Sequence, residues 1–147
     1  MIGHISGPMS FVHTQLRREG TEAEAAARGV RLLHGEGDYS YESGRAVTSG
    51  LLGGGPTAIV CDNDLMALAV LDELRERDLA VPHDISVVAW DDSALCQLAV
   101  PPLSAMSHDV GRIGELAARA LLDALAGAAP EVYRAPTAHL VARESTR

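Results

Sequence analysis

Apolar positions recur along this chain with two different periods. Residues 57–61 (Thr-Ala-Ile-Val-Cys) form a short apolar run rich in β-branched side chains, the composition of a strand buried on both faces. Residues 62–64 (Asp-Asn-Asp) interrupt it with side chains that favour a helix start. From residue 65 to 77 the period becomes helical, with Ala67, Val70, Leu71 and Leu74 at i, i+3, i+4 and i+7. The polar stretch 78–84, with Pro82, ends that helix, and residues 85–90 are a second apolar run ending in Trp90. Strand, helix, strand predicts a parallel βαβ unit. Open parallel sheets bind ligands beyond the carboxyl ends of their strands. Here those ends read Asp62-Asn63-Asp64 and Asp91-Asp92.

The same reading extends both ways. Residues 2–6 are a strand closed by Gly7-Pro8, and Ser10 is placed to cap a helix running to about residue 28. Residues 30–33 read as a short strand and 35–38 as loop. A helix then begins at Ser40 or Tyr41, with Ala46, Val47 and Leu51 on its apolar face, and Gly53-Gly54-Gly55-Pro56 ends it. Beyond Trp90 come a short helix or loop (93–100) halted by Pro101-Pro102 and a strand near 103–106. Asp109 caps a helix over 110–126 with Ile113, Ala117, Ala120, Leu121 and Ala124 as its stripe, and the tail (132–144) reads as an edge strand. The order predicts an α/β fold, a doubly wound, mostly parallel sheet with helices on both faces. Because a strand opens the chain with no element before it, the natural protein is expected to extend upstream.

Composition narrows the chemistry. The 147 residues suffice for one core, and the net charge of −8 opposes direct binding to nucleic acid or an anionic membrane. No apolar run approaches a membrane span. All twelve basic residues are arginine. With no lysine, phosphate-loop, Schiff-base and lysine-dependent phosphoaspartyl chemistries are excluded. Cys61 and Cys96 lack metal-ligand spacing and read as buried thiols of a cytosolic protein, with a disulfide as the alternative. No histidine pair has metal spacing, so no metal or cofactor is expected.

Five ordered stretches, IGHISGP (2–8), RREG (17–20), GDYSYESG (37–44), PTAIVCDNDLMALAVL (56–71) and VPHDISVVAWDD (81–92) followed by PPLSAM (101–106), together with LVARESTR (140–147), resemble the effector-binding region of the lactose-repressor (LacI/GalR) family. The resemblance implies a periplasmic-binding-protein-like fold of two subdomains closing on a small ligand, with an upstream helix-turn-helix headpiece on operator DNA. Residues 1–106 would then be the second subdomain without its first βα unit. Residues 107–135 would cross to the first subdomain, and 136–147 would return as a strand. The fold is therefore expected to be incomplete, with neither headpiece nor most of the first subdomain. Thr21 departs from the family pattern, which has an aromatic residue there.

Each candidate residue carries two readings. Asp91 either caps the following segment or, as the family implies, accepts hydrogen bonds from adjacent sugar hydroxyls. Asn63 can cap a helix, bind a hydroxyl, or do both. Arg17 alone reads as a solvated helix face; the resemblance turns it into the cleft. Trp90 is either core or a stacking surface, while His13 and His108 are surface residues placed within reach of the cleft. Leu65 and Leu68 lie off the main helical stripe, and the resemblance implies a homodimer contact there.

The sequence therefore reads as the ligand-sensing and dimerisation region of a cytoplasmic bacterial transcription regulator. It is not an enzyme on this reading; its partners are a sugar-like effector, a second copy and, through the headpiece, operator DNA. An exported sugar-binding receptor of the same fold is the alternative. Less favoured is a metal-dependent α/β enzyme using Asp62, Asp64, Asp91 and Asp92.

Overall fold

A computed structural model describes residues 1–147. Six strands, β1 (Ile2–Ser6), β2 (Leu32–Glu36), β3 (Ala58–Cys61), β4 (Ser86–Trp90), β5 (Ser104–Ser107) and β6 (His139–Val141), form one sheet in the order β2-β1-β3-β4-β5-β6. The first five are parallel and β6 runs antiparallel to β5. Five helices join them: α1 (Val12–Ala27), α2 (Tyr41–Leu52), α3 (Asp64–Glu76), α4 (Ala94–Leu98) and α5 (Val110–Leu125).

Alternation along each strand sorts the side chains onto two faces. Ile5, Ile59, Cys61, Val87, Ala89 and Ala105 are buried on the face covered by α2 and α3, which supply Leu51, Met66, Ala67, Val70 and Leu74. The helical stripe over 67–74 is thus the core face. Leu68, read as off that stripe, is half-buried and packs against the core, while Leu65 is exposed. On α2 the inward residues are Gly44, Thr48 and Leu51, and Ala46, expected inside, faces solvent. Gly44 is small for a reason: a Cβ there would come within 2.9 Å of Met66 Cα and of Ala69 Cβ. Arg45 and Arg77 close the same contact by pairing with Glu73, whose carboxyl their hydrogen bonds hold below its usual range, Arg77 foremost.

The opposite sheet face, with Ile2, Leu32, Val60 and Trp90, is half-covered beneath α1, so β3 is not buried on both sides as its sequence predicts. Two local expectations also shift. Ser10 does not cap α1; Phe11 stands at that position and makes no side-chain capping bond. Residues 35–36, read as loop, complete β2, because Gly35 lets Val47 and Leu51 of α2 approach the strand. The helix over 110–125 forms with Asp109 as its cap (Oδ1 accepts from Arg112 N, 2.8 Å), yet buries none of its residues. The tail forms only the three-residue β6. No helix is long and apolar enough to cross a membrane.

Candidate functional site

The loops after β1, β2, β3, β4 and β5 meet at one rim of the sheet. Strand order reverses between β1 and β3, the point where open parallel sheets leave a crevice between diverging loops. Asp62 closes the base of that crevice. Its buried carboxylate accepts from Gly7 N (3.2 Å) and pairs with His4 Nε2 (3.0 Å), and its carbonyl accepts from Arg17 Nη1 (3.0 Å). Arg17 reaches this position from α1 and lies over Trp90, its guanidinium carbon 4.1 Å from the ring centroid. Trp90 in turn packs against His108, centroids 5.2 Å apart. One face of Trp90 is therefore given to Arg17, and the tryptophan orients that side chain.

Asn63 performs the cap that its sequence position predicts: Oδ1 accepts from Met66 N (2.9 Å). Its Nδ2 donates to Tyr39 O (3.0 Å), which leaves one N–H and one lone pair of the amide unspent. Tyr39 is not among the sequence candidates, although it lies within the GDYSYESG stretch. It sits at φ 71°, a left-handed geometry unusual for an aromatic residue, in a turn braced by Asp38. Hydrogen bonding from Ser40 and Ser43 lowers the Asp38 carboxyl to about 2. The Tyr39 hydroxyl lies 2.8 Å from His13 Nε2 and 2.9 Å from Thr14 Oγ1. Phe11 completes this group, 5.5 Å from His13 and 6.3 Å from Tyr39 between centroids. Residue type alone does not single out either aromatic: what sets them apart is the backbone each sits on.

Asp91 is exposed at φ 66°, and its side chain makes no hydrogen bond within the chain. It is not the cap of α4; Ser93 is, accepting from Leu95 N (3.1 Å). Asp92 instead pairs with Arg143 from the segment after β6 (2.7 Å), an ion pair that lacks the alignment of a hydrogen bond. Asp91, Asp92, Ser93, Ser107 and His108 line a polar pocket of about 250 Å³. The four aspartates of the rim go to separate partners: Asp62 to His4, Asp64 to Ser93, Asp92 to Arg143, and Asp91 to none. No three His, Cys, Asp or Glu side chains converge as a metal site.

Cys61 and Cys96 are both free and buried. Burial pushes the Cys61 thiol far up, and the Cys96 thiol up to about 11, so neither is a poised nucleophile. A larger cavity of about 460 Å³ lies below the rim between α1 and the half-covered sheet face, lined by Leu16, Arg17, Thr21, Ala25, Val60 and Trp90. It is mostly apolar, and the rim rather than this groove holds the convergent polar groups that orient a ligand. On the flank, Leu65 (37% exposed) neighbours α4, where Leu95 and Leu98 are also exposed.

A parallel sheet with a polar rim at its switch point defines a small-molecule-binding domain of the α/β class. The chain belongs to the periplasmic binding protein-like domain family, whose pattern matches residues 1–146. Its relatives are LacI-type transcriptional regulators. The HTH-type transcriptional regulator reg1 of Streptomyces lividans is 36% identical over 154 residues, covering 99% of this chain and 45% of that protein. Among solved structures, a transcriptional regulator CelR–cellobiose complex superposes with a TM-score of 0.90 at 34% identity, covering 98% of this chain and 46% of that one. The lac repressor dimer bound to operator and the anti-inducer ONPF gives 0.91 at 32% identity, covering 99% and 52%. The chain thus spans about half the length of the proteins it matches.

Proposed function

We propose that this region senses a sugar-like effector for a cytoplasmic DNA-binding transcription regulator, without making or breaking a bond. The observation that carries the reading is the unpaired carboxylate of Asp91 at the same rim as the half-spent amide of Asn63 and the clamped guanidinium of Arg17. A carbohydrate hydroxyl both donates and accepts, and these groups offer both roles side by side. His108 lines the acidic end and His13 the aromatic end. Trp90 acts through Arg17.

Residues 1–106 and 136–147 would form one subdomain, as the pairing of β6 with β5 supports. Residues 107–135 would belong against the other, which fits an α5 that buries nothing while carrying exposed Ile113, Leu121, Leu122 and Leu125. Effector binding between subdomains would then shift a population between operator-binding and released states. Operator contact falls to a headpiece outside this region, since a net charge of −8 repels the phosphate backbone. Leu65 with Leu95 and Leu98 forms the homodimer contact; Leu68 supports it from the core side.

The test is an operator gel shift with the full-length protein, titrated with saccharides. Release, or tightening, by one saccharide supports the reading. Operator affinity indifferent to every saccharide, with a purine or amino acid acting instead, overturns it.

A further inference from the structure

We infer that His4 and Asp62 are positioning residues for Arg17, holding its guanidinium at the rim through a local switch in the β1–β3 ladder; the consequence for effector binding rests on the sugar-sensing reading above. The two strands are parallel, with Ile5 opposite Cys61. In that register Asp62 N–H donates to Ile5 O (2.9 Å), and the next ladder bond would run from Gly7 N–H to Asp62 O. That bond is replaced. Gly7 N–H donates instead to the Asp62 carboxylate (3.2 Å), and the carbonyl so released accepts from Arg17 Nη1 (3.0 Å). The side chain of Asp62 stands in for its own carbonyl, and Arg17 takes what the ladder gives up.

His4 keeps the carboxylate in that role. A carboxylate only accepts, so the His4 Nε2 that meets Asp62 Oδ1 at 3.0 Å carries a hydrogen and donates it. One oxygen is thereby assigned to His4 and the other is left to Gly7. His4 is braced in turn. His34, opposite it on β2, meets it edge-on with ring centroids 5.5 Å apart, and His34 Nε2 lies 3.1 Å from Glu22 of α1. Stability does not account for this arrangement. His4 and Asp62 are each 1% exposed, and the Nδ1 atoms of His4 and His34 find no partner within the chain. Such orphans cost free energy, and apolar side chains in place of a buried pair are commonly neutral or stabilising. What the pair supplies is geometry: a free carbonyl that holds Arg17 over Trp90.

Fluorine NMR of the full-length protein labelled with 5-fluorotryptophan tests this without any ligand. Trp90→Phe assigns the Trp90 line, and Arg17→Ala gives its position once the guanidinium is gone. His4→Gln keeps an N–H where Nε2 lies and should leave the line at its wild-type position. His4→Leu combined with Asp62→Ala removes both partners, which spares the fold an unpaired buried carboxylate. Gly7 N–H then returns to the carbonyl of residue 62, and the line should move at least halfway to its Arg17→Ala position. Asp62→Asn, which puts an amide donor at one of the two accepting positions, should move it in the same direction. If these two proteins are folded by circular dichroism and keep the wild-type line, the inference is overturned. Calorimetry with glucose, galactose, maltose and cellobiose as probes reads the consequence. The tightest binder should lose at least tenfold in affinity for the doubly substituted protein, and unchanged affinity removes the pair from the workings of the site. If no saccharide binds while the fluorine lines move as expected, the sugar reading fails and the positioning of Arg17 stands.

Discussion

Arg17 and Trp90 are stacked across the site, guanidinium carbon to ring centroid 4.1 Å, although one belongs to the helix after β1 and the other ends β4. The intervening strand β3 is included too, because Arg17 also donates to Asp62 O at its end. One side chain therefore fixes the relative heights of three strand ends. A partly buried cation–π contact of this kind contributes about 0.5–2 kcal/mol, and it places Arg17 beside Asn63 before any ligand arrives.

Asp91→Asn should lower effector affinity in the full-length protein by about ten- to a hundredfold. Charge-assisted hydrogen bonds are worth about 1.5–3 kcal/mol, and ~1.4 kcal/mol is one decade. Asparagine tolerates the left-handed backbone at φ 66°, so the fold should be kept. Calorimetry and thermal melting on the same samples check this. Unchanged affinity with a lowered melting temperature would move Asp91 out of the site.

Leu65→Glu should convert a dimer to monomers without unfolding the subunit, because Leu65 is exposed and a charge in an apolar contact is desolvated. Leu68→Glu should instead lower stability, since Leu68 packs on the core. Light scattering separates the two. A Leu65→Glu protein that keeps its dimer mass removes this face from the interface.

Two glycines of α2 should respond oppositely to alanine. Gly50 has open space around it, so Gly50→Ala should stabilise by about 0.5–1 kcal/mol through lost backbone freedom in the unfolded chain. At Gly44 the new Cβ would strike Met66 Cα, and overpacking costs about 1–3 kcal/mol. Denaturant titration of both variants reads the sign directly; equal shifts in one direction would contradict this packing of α2 on α3.

Stability should fall with acidification through His34. Burial, helped by the nearby positive charge of Arg18, lowers its imidazole from 6.5, against the opposing pull of Glu22 at 3.1 Å. Unfolded chains take up the proton near 6.5 while the folded state resists it. Over that window the unfolded state binds more protons, and stability declines as pH drops. The melting temperature of the wild type should therefore drop more than that of His34→Gln between pH 7.5 and 5.5. Parallel curves would show that His34 titrates alike in both states.

The β3–α3–β4 unit was legible because its information is local: a change of period at residue 62, a cap at Asn63, and a stop around Pro82. Gly35 was misread for a physical reason. Glycine marks turns for its backbone freedom, but here it serves as empty space beneath Val47, a need that arises only once α2 is packed. Phe11 and Tyr39 escaped because a missing cap and a positive φ are properties of the backbone, which residue type does not display. The helix expected over 110–126 forms, but none of its apolar stripe is buried, since periodicity does not say which surface a helix covers. Asp91 and Arg17 emerge through family resemblance; the partners of Arg17, the Asp62 carbonyl and Trp90, emerge only from the structure.

Ser145 is fully buried in the seam between β4 and β5. Its carbonyl accepts from Val87 N (2.8 Å), its hydroxyl donates to Val87 O (2.6 Å) and accepts from Ser104 N (2.8 Å), and its N–H donates to Pro102 O (3.0 Å). Ser104 precedes it by 41 residues. Both strands of the seam are therefore synthesised before the residue that stitches them, and until then only their own ladder, Val88–Trp90 against Ser104–Met106, holds the two together.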